Sequence, residues 1–97
     1  MTFAAVFLYE VDNDGRDAFE AVYGPEGEWA RFFAPGDGYR GTELLRSGER
    51  YVLIDRWDSC EAYEAYLEAH ADEYAARNRE AARLWRREED LGRFESA

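Results

Sequence analysis

The chain has 97 residues, a length typical of one small domain, and 46% of its residues are hydrophobic, which excludes a disordered protein. Its formal net charge is −10, from 22 acidic and 12 basic residues, and every basic residue is arginine. A protein this acidic is repelled by phosphate backbones and anionic lipids, so we expect no nucleic-acid partner and no membrane partner. The absence of lysine excludes Schiff-base chemistry and lysine-dependent phosphate binding.

The chain contains one cysteine, Cys60, and one histidine, His70. A single cysteine cannot close a disulfide within the chain, which is consistent with a reducing cytoplasm but does not require one. A single histidine cannot build a histidine-rich metal site, so we expect no metal ion. The strongly apolar N-terminal stretch, residues 3–9, is too short for a signal peptide or a membrane span, and we expect a cytoplasmic protein.

The first predicted element is a strand over residues 2–11, TFAAVFLYEV. Apolar side chains occupy both alternating sets of positions, so we expect this strand to be buried on both faces. Residues 12–15, DNDG, are typical of a turn. Residues 17–33 have helical spacing, but Gly24 and Pro25 interrupt them, which predicts a short helix, a kink and a second short helix.

Two strand-like segments, residues 39–46 and 50–57, flank the tripeptide SGE and predict a hairpin with glycine in its loop. Alternation along the second strand places Leu53, Asp55 and Trp57 on the same face. That face is otherwise apolar, so the carboxylate of Asp55 needs a physical explanation.

Burying a carboxylate such as Asp55 on an apolar face is costly unless it has a partner. We expect its side chain to be mostly buried, and two alternatives account for it. Either an arginine, such as Arg40, forms a salt bridge with it, or it is a pocket carboxylate with a raised pKa. Glu43 would share this face only in one register of the hairpin, and the sequence leaves the register open.

Residues 59–91 carry apolar side chains at helical spacing. The pattern predicts one long helix or two adjoining helices, with a bend near residues 70–72. Gly92 is expected to end the helix, and residues 93–95 could add a short final strand.

The predicted order of elements is β-α-β-β-α-β, the ferredoxin-like α+β arrangement, in which helices cover one face of a four-stranded antiparallel sheet. The first strand is apolar on both faces, and the second strand of the hairpin is nearly so. The face without helices would therefore expose a large apolar patch, which monomeric proteins rarely tolerate. A second copy of the sheet is the simplest cover, so we expect a symmetric homodimer.

Three segments resemble the antibiotic biosynthesis monooxygenase superfamily: residues 22–33 (VYGPEGEWARFF), 38–46 (GYRGTELLR) and 51–66 (YVLIDRWDSCEAYEAY). The most specific part is the Trp-x-Ser-x-Glu-Ala-Tyr motif at residues 57–63, and the resemblance covers nearly the whole chain. It implies a single domain, residues 1–97, that forms a dimeric α/β barrel.

The resemblance further implies a cofactor-independent monooxygenase that acts on a small aromatic or polyketide-like molecule. In such a reaction the substrate anion itself reduces O₂, while the protein supplies positioning, a dry cavity and groups that favour the anion. The alternative is a non-catalytic dimer on the same fold that serves small-molecule binding or interaction, because a fold does not determine a function. A cavity lined by Trp57, Tyr63 and at least one ionisable group would favour the enzyme, and a space filled by side chains would favour the alternative.

The resemblance assigns catalytic positions to Trp57, Tyr63 and Arg77. A fourth position, which is asparagine in polyketide-oxidising members of the superfamily, is Leu53 here. The residues expected around the substrate are Leu53, Asp55, Tyr66 and His70. Core packing alone would also explain the aromatic residues, and an ion pair with Glu73 would explain Arg77.

Tyr63 and Arg77 are fourteen residues apart, so on an unbroken helix they would share a face but lie about 21 Å apart. They can meet around one small ligand only if the helix bends between them or if one of them comes from the other subunit. The position of Arg77 relative to Tyr63 therefore tests the catalytic assignment.

Overall fold

The computed structural model describes residues 2–97, which form a four-stranded sheet, four α-helices and two short 3₁₀ turns. The strands are β1 (Phe3–Glu10), β2 (Tyr39–Ser47), β3 (Arg50–Trp57) and β4 (Arg87–Glu95). The helices are α1 (Arg16–Tyr23), α2 (Glu28–Phe33), α3 (Cys60–Ala69) and α4 (Ala71–Ala81). None of the helices within residues 2–97 is both long enough and apolar enough to cross a membrane.

The sheet has the order β2-β3-β1-β4, and every neighbouring pair is antiparallel. This is the predicted ferredoxin-like arrangement. The two strands with apolar residues on both faces, β1 and β3, lie in the centre of the sheet. The predicted hairpin is confirmed, with Ser47 paired with Arg50 across its loop.

The two faces of the sheet differ in what covers them. The inner face packs against the helices and carries buried aromatic side chains such as Phe3, Tyr51 and Trp57. No helix within residues 2–97 covers the outer face, and Leu45 and Phe94 on its edge strands are 50% and 54% exposed. The inner face therefore holds the core, and the outer face is the surface for which the sequence predicts a second copy.

The predicted kink between the first two helices is confirmed. Gly24 leaves α1 with an extended backbone, and Pro25 cannot continue a helix because it lacks an N–H group. The chain then forms α2, a helix of six residues that buries Trp29 and Phe33. This short helix places its aromatic rings against the C-terminal end of β3.

The predicted bend in the next helical segment is also confirmed. α3 begins after Ser59, whose Oγ accepts a hydrogen bond from the backbone N–H of Ala62 at 3.1 Å. It ends before His70, where the backbone leaves the helical region (φ −122°, ψ 31°), and α4 begins at the following residue. The helix is thus interrupted between the two predicted catalytic residues that it carries.

The prediction of helix through residue 91 is wrong. A 3₁₀ turn at residues 82–84 follows α4, and β4 then runs along the edge of β1. Gly92 does not end a helix but lies within β4, with φ +117°, where the pairing with Val6 and Phe7 becomes irregular. The spacing of apolar residues does not reveal this strand, because an exposed edge strand carries charged side chains on both faces. Its sequence therefore shows little alternation between apolar and polar residues.

Candidate functional site

A small space of about 30 Å³ lies between the inner face of the sheet and the four helices. Each helix contributes at least one aromatic ring to it, so most of the lining is aromatic. The polar residues of the lining are Tyr9, Tyr23, Asp55, Tyr63, Tyr74, Asn78 and Glu88. A space of this size holds one or two water molecules, and we call it the chamber.

Asp55 is the only charged residue that is buried within residues 2–97, and 4% of it is exposed. β3 carries it on the inner face, opposite Ala5 of β1 and Thr42 of β2. The Thr42 hydroxyl donates a hydrogen bond to Asp55 Oδ1 at 2.7 Å. Burial raises the pKa of Asp55 from 3.8 to about 6, and the hydrogen bond from Thr42 opposes part of that rise.

The face predicted for Asp55 is confirmed, but the salt bridge with Arg40 is wrong. Arg40 pairs with Asp58 at the surface, and no arginine within residues 2–97 forms an ion pair with Asp55. Asp55 therefore matches the other alternative, a pocket carboxylate with a raised pKa. The register of the hairpin places Glu43 on the outer face, where it pairs with Arg56 at 2.8 Å.

Trp57 and Tyr63, two of the three catalytic candidates, lie together. Trp57 is fully buried at the end of β3, and its ring is 5.8 Å from that of Tyr63, which lines the chamber from α3. Trp57 Nε1 is buried and has no hydrogen-bond partner within residues 2–97. Burial raises the pKa of Tyr63, so its phenol stays protonated at neutral pH. Leu53 and Asp55 line the same chamber as Tyr63.

Arg77, the third candidate, does not line the chamber. Its Nη2 lies 2.9 Å from Glu73 Oε2, and its guanidinium carbon lies 5.1 Å from the centre of the Phe32 ring. With Tyr66 and His70, it lines an open surface groove of about 550 Å³, which we call the outer groove. The bend at His70 thus brings Arg77 beside two of the residues expected around the substrate, but outside the chamber.

Aromatic rings of α2 separate the chamber from the outer groove. The Phe33 ring lies 5.7 Å from that of Trp57, and the Phe32 ring lies 5.2 Å from that of Phe33 and 5.6 Å from that of Tyr66. Tyr66 Oη donates a hydrogen bond to the carbonyl oxygen of Phe32 at 2.5 Å, and this bond connects α3 to α2. The two spaces therefore share a wall that a single short helix provides.

Five polar residues of the chamber lining are not among the site residues predicted from the sequence: Tyr9, Tyr23, Tyr74, Asn78 and Glu88. Tyr74 and Asn78 are four residues apart on α4, so they share a helix face, on which Tyr74 is half-buried and Asn78 is exposed. Their spacing is a signal that the sequence could give. Asn78 supplies an amide to the same space that Leu53 lines. Glu88, which accepts a hydrogen bond from Tyr9 Oη at 2.7 Å, lies in the segment that was predicted as helix.

A wider groove, about 1220 Å³, lies between α1 and β2 and includes Arg16, Glu20 and Arg46. It is open to water and lined mostly by polar and charged side chains, so charges there are screened and exposed to solvent. No group of three or more His, Cys, Asp or Glu side chains in the described part of the chain is arranged to hold a metal ion. The chamber, where Asp55 is buried among aromatic side chains, is the stronger candidate site.

No protein-family model matches the chain, and no curated protein matches it in sequence. Solved structures do share its fold. A point mutant of SnoaB, a cofactor-independent oxygenase from Streptomyces nogalater, superimposes with a TM-score of 0.72 at 24% identity, covering 98% of this chain and 92% of that chain. Rv0793 from Mycobacterium tuberculosis superimposes with a TM-score of 0.62 at 23% identity, covering 100% and 99%.

A third structure, a proposed antibiotic biosynthesis monooxygenase from Nitrosomonas europaea, superimposes with a TM-score of 0.67 at 17% identity, covering 98% of this chain and 89% of that chain. Identities this low establish the fold and not the reaction. The predicted α+β ferredoxin-like fold, and with it the resemblance to the antibiotic biosynthesis monooxygenases, is confirmed at the level of the fold.

Proposed function

We propose that the chain is a cofactor-independent monooxygenase that acts on a small aromatic or polyketide-like molecule. Residues 1–97 act as one domain, in the cytoplasm, and neither a metal nor an organic cofactor takes part. The observation that carries this proposal is Asp55, a buried carboxylate in a small, mostly aromatic chamber that phenols and an amide also line. The fold shared with SnoaB, a cofactor-independent oxygenase, supports the same class of reaction.

Asp55 is the base in this reaction. With a pKa of about 6 it is mostly ionised at neutral pH, and it holds a proton more tightly than an exposed aspartate does. It removes a proton from an acidic ring carbon that lies beside a phenol or ketone of the substrate. Burial among aromatic rings keeps Asp55 largely out of solvent, which would otherwise stabilise the carboxylate and weaken it as a base.

The substrate anion then supplies the electrons for O₂. Attack of the deprotonated carbon on O₂ forms a carbon–oxygen bond and a peroxide anion, which recovers the proton from Asp55. The same carbon then loses its second hydrogen as a proton while the O–O bond breaks, which leaves a carbonyl group and releases water. One oxygen atom enters the product and the other leaves as water, so the substrate is the only reductant.

Donor groups in the chamber stabilise the negative charge on the substrate oxygen. Tyr63 donates from its phenol, which burial keeps protonated, and Asn78 donates from its amide. Trp57 supports the Tyr63 ring from the core side. Arg77 and the other residues of the outer groove line the route by which the substrate reaches the chamber.

The chamber must enlarge to admit a planar substrate, because about 30 Å³ holds only water. The side chains that would move are Trp29 and Phe33, both from α2. This helix has six residues and lies between loops that contain glycine and proline. Its displacement would join the chamber to the outer groove and form one cavity around Trp57, Tyr63 and Arg77.

The second candidate function is a non-catalytic dimer that binds a small molecule. Two observations favour it: the chamber is almost filled by side chains, and Arg77 pairs with Glu73 outside the chamber. In that case Asp55 would hold a polar group of the ligand and would take no proton from it.

We also propose that the protein is a homodimer in which two outer sheet faces pack together. Val6, Val52 and Ile54 are half-buried on this face, and Leu45 and Phe94 are exposed. Sedimentation at micromolar concentration should give a species of about twice the 11.3 kDa chain mass, and Leu45→Asp should shift it toward the monomer. A wild-type protein that sediments only as a single chain would contradict this proposal.

Oxygen consumption tests the proposed reaction. Hydroxylated anthracene-like and flavonol-like compounds are offered to the wild-type protein in an oxygen-electrode cell, with product analysis by mass spectrometry. Asp55→Asn should lower the rate roughly 10²–10⁴-fold, because it removes the base and keeps the shape. Asp58→Asn, at an exposed aspartate just beyond β3, is the matched control and should keep the wild-type rate. Tight binding of these compounds without oxygen uptake would favour the second candidate function.

A further inference from the structure

Two hydroxyl groups lead from Asp55 toward the edge of the sheet. The Thr42 hydroxyl oxygen lies 2.7 Å from Asp55 Oδ1, and the Tyr39 hydroxyl oxygen lies 2.5 Å from Thr42 Oγ1. An ionised carboxylate has no hydrogen to donate, so Thr42 donates to Asp55 and accepts from Tyr39. Both residues belong to β2, which is an edge strand, and both are only partly buried.

A β-bulge brings these two hydroxyls to the same face. Residues three apart in a regular strand point to opposite faces of the sheet. In β2 the pairing shifts between Tyr39 and Gly41, so that Tyr39 lies opposite Trp57 while Thr42 lies opposite Asp55. Gly41 has φ +124°, which side-chain-bearing residues rarely adopt. A bulge can re-aim a side chain beside an active site, and this one aligns Tyr39 with Thr42.

We propose that Thr42 and Tyr39 form a proton relay between Asp55 and the water at the edge of the sheet. This inference rests on the proposed function, in which Asp55 returns the substrate's proton to the peroxide and must be ionised before the next turnover. The relay removes a proton that Asp55 still holds or has taken up from solvent. When protonated Asp55 discharges, its Oδ1–H bond breaks and Thr42 Oγ1 gains that proton. Thr42 passes its own proton to Tyr39 Oη, and Tyr39 passes its own to water. One proton leaves the chamber, and all three groups regain their former composition.

The other groups around Asp55 do not offer such a path. The titratable residues that face it in the chamber are Tyr9 of β1, Tyr23 of α1, Tyr63 of α3, Tyr74 of α4 and Glu88 of β4. The residues that α2 contributes are aromatic and uncharged. In the described part of the chain, no arginine lines the chamber and none of these five residues is hydrogen-bonded to Asp55.

The hydrogen bonds of the chamber's two acids also indicate that the path from Asp55 runs through β2. Thr42 is the only side chain within residues 2–97 that hydrogen-bonds to the Asp55 carboxylate. Glu88, the other acid of the chamber, is already hydrogen-bonded to Tyr9. The bulged edge strand is thus the element that connects the buried base to the exterior, and Thr42 and Tyr39 are positioning residues that act through Asp55.

Solution NMR of the Asp55 side-chain carboxyl carbon tests the relay without any substrate. The titration gives the pKa, and relaxation dispersion near the midpoint gives the rate of proton exchange. Thr42→Val should raise the pKa by about one unit, since it removes a hydrogen bond to the charged form, and should slow exchange at least tenfold. Thr42→Ser should restore both values. Tyr39→Phe should slow exchange at least tenfold with a much smaller shift in pKa, because the bond from Thr42 to Asp55 remains.

Tyr51→Phe is the matched control, because Tyr51 donates to Glu20 on the same sheet face but away from the chamber. It should leave both the pKa and the exchange rate of Asp55 unchanged. A wild-type rate of proton exchange at Asp55 in Tyr39→Phe would overturn the relay. The Tyr39→Phe variant alone provides this test if Thr42→Val does not fold. Fast exchange in wild type and slow exchange in Tyr39→Phe would support the relay even if no substrate consumes oxygen. If Tyr39→Phe shows the wild-type exchange rate and the wild-type protein still consumes oxygen, the relay is contradicted and the proposed function stands.

Discussion

The chamber and the outer groove contain similar aromatic side chains, yet each holds its charged group in a different way. In the chamber, Asp55 is 4% exposed, has no ion-pair partner within residues 2–97 and has a pKa raised to about 6. In the outer groove, the Arg77 side chain is 39% exposed and pairs with Glu73. Phe32 and Phe33, two residues of one short helix, separate the two environments.

The surroundings of a charged group, and not its identity alone, therefore determine its chemistry. Water around Arg77 screens its pair with Glu73, so that pair contributes little to stability or to catalysis. Burial leaves Asp55 with a single hydrogen bond and makes it a proton acceptor near neutral pH. Matched substitutions in the two regions should therefore have very unequal effects.

After Asp55 itself, the largest difference is expected at Tyr63, one of the four tyrosines that line the chamber. Tyr63→Phe should lower the turnover number for oxygen consumption roughly 10²–10³-fold, because it removes a donor to the substrate oxyanion. Tyr51→Phe, which removes a buried phenol far from Asp55, should keep wild-type turnover. Circular dichroism of both variants checks that they fold. Unchanged turnover in Tyr63→Phe would remove its phenol from the reaction even if the enzyme class survived.

The next effect concerns stability as a function of pH. Because folding raises the pKa of Asp55, the folded state binds that proton more tightly than the unfolded chain, and the ionised form destabilises the fold. This cost is absent below the unfolded pKa of 3.8 and is complete above about 6. Asp55→Asn does not titrate, so its stability relative to wild type should increase by about 3 kcal/mol across that window.

Urea denaturation of both proteins at several pH values measures that difference. Asp58→Asn serves as the control, because Asp58 is exposed and its pair with Arg40 is open to water. A difference between Asp55→Asn and wild type that stays constant with pH would mean that Asp55 is not desolvated in the folded protein.

The smallest effect is expected in the outer groove. Arg77→Gln should change the free energy of unfolding by less than about 1 kcal/mol, because it breaks one exposed pair. In the oxygen assay it should raise KM and leave kcat nearly unchanged, since Arg77 contacts the substrate on its way to the chamber. A fall in kcat as large as that of Tyr63→Phe would show that the two regions form one site during turnover.

Much of the fold could be predicted because its signals are local. The apolar residues at both alternating sets of positions in β1 and β3 indicate interior strands, and both strands occupy central positions in the sheet. The same alternation gives the face of Asp55, and the break at Gly24 and Pro25 separates α1 from α2. These features depend on residues within a few positions of each other.

The remaining features depend on contacts that no local pattern records. β4 exists because β1 offers a free edge for pairing, and the segment itself has helical spacing. Tyr39 and Thr42 share a face only because a bulge adds a residue to β2, and Arg77 lies in the outer groove because α2 fills the space beside Trp57. The sequence therefore predicts the buried position of Asp55 but not most of the groups that surround it.

The pH dependence of kcat/KM for oxygen consumption tests most directly whether Asp55 is the base because it is buried. In the wild-type protein kcat/KM should rise with pH through a midpoint near 6, since the ionised carboxylate is the active form. Asp58→Asn should keep this midpoint, and Asp55→Asn should lose the dependence together with most of the activity. A wild-type midpoint at the ordinary value for an exposed aspartate, or the same profile in Asp55→Asn, would contradict the account.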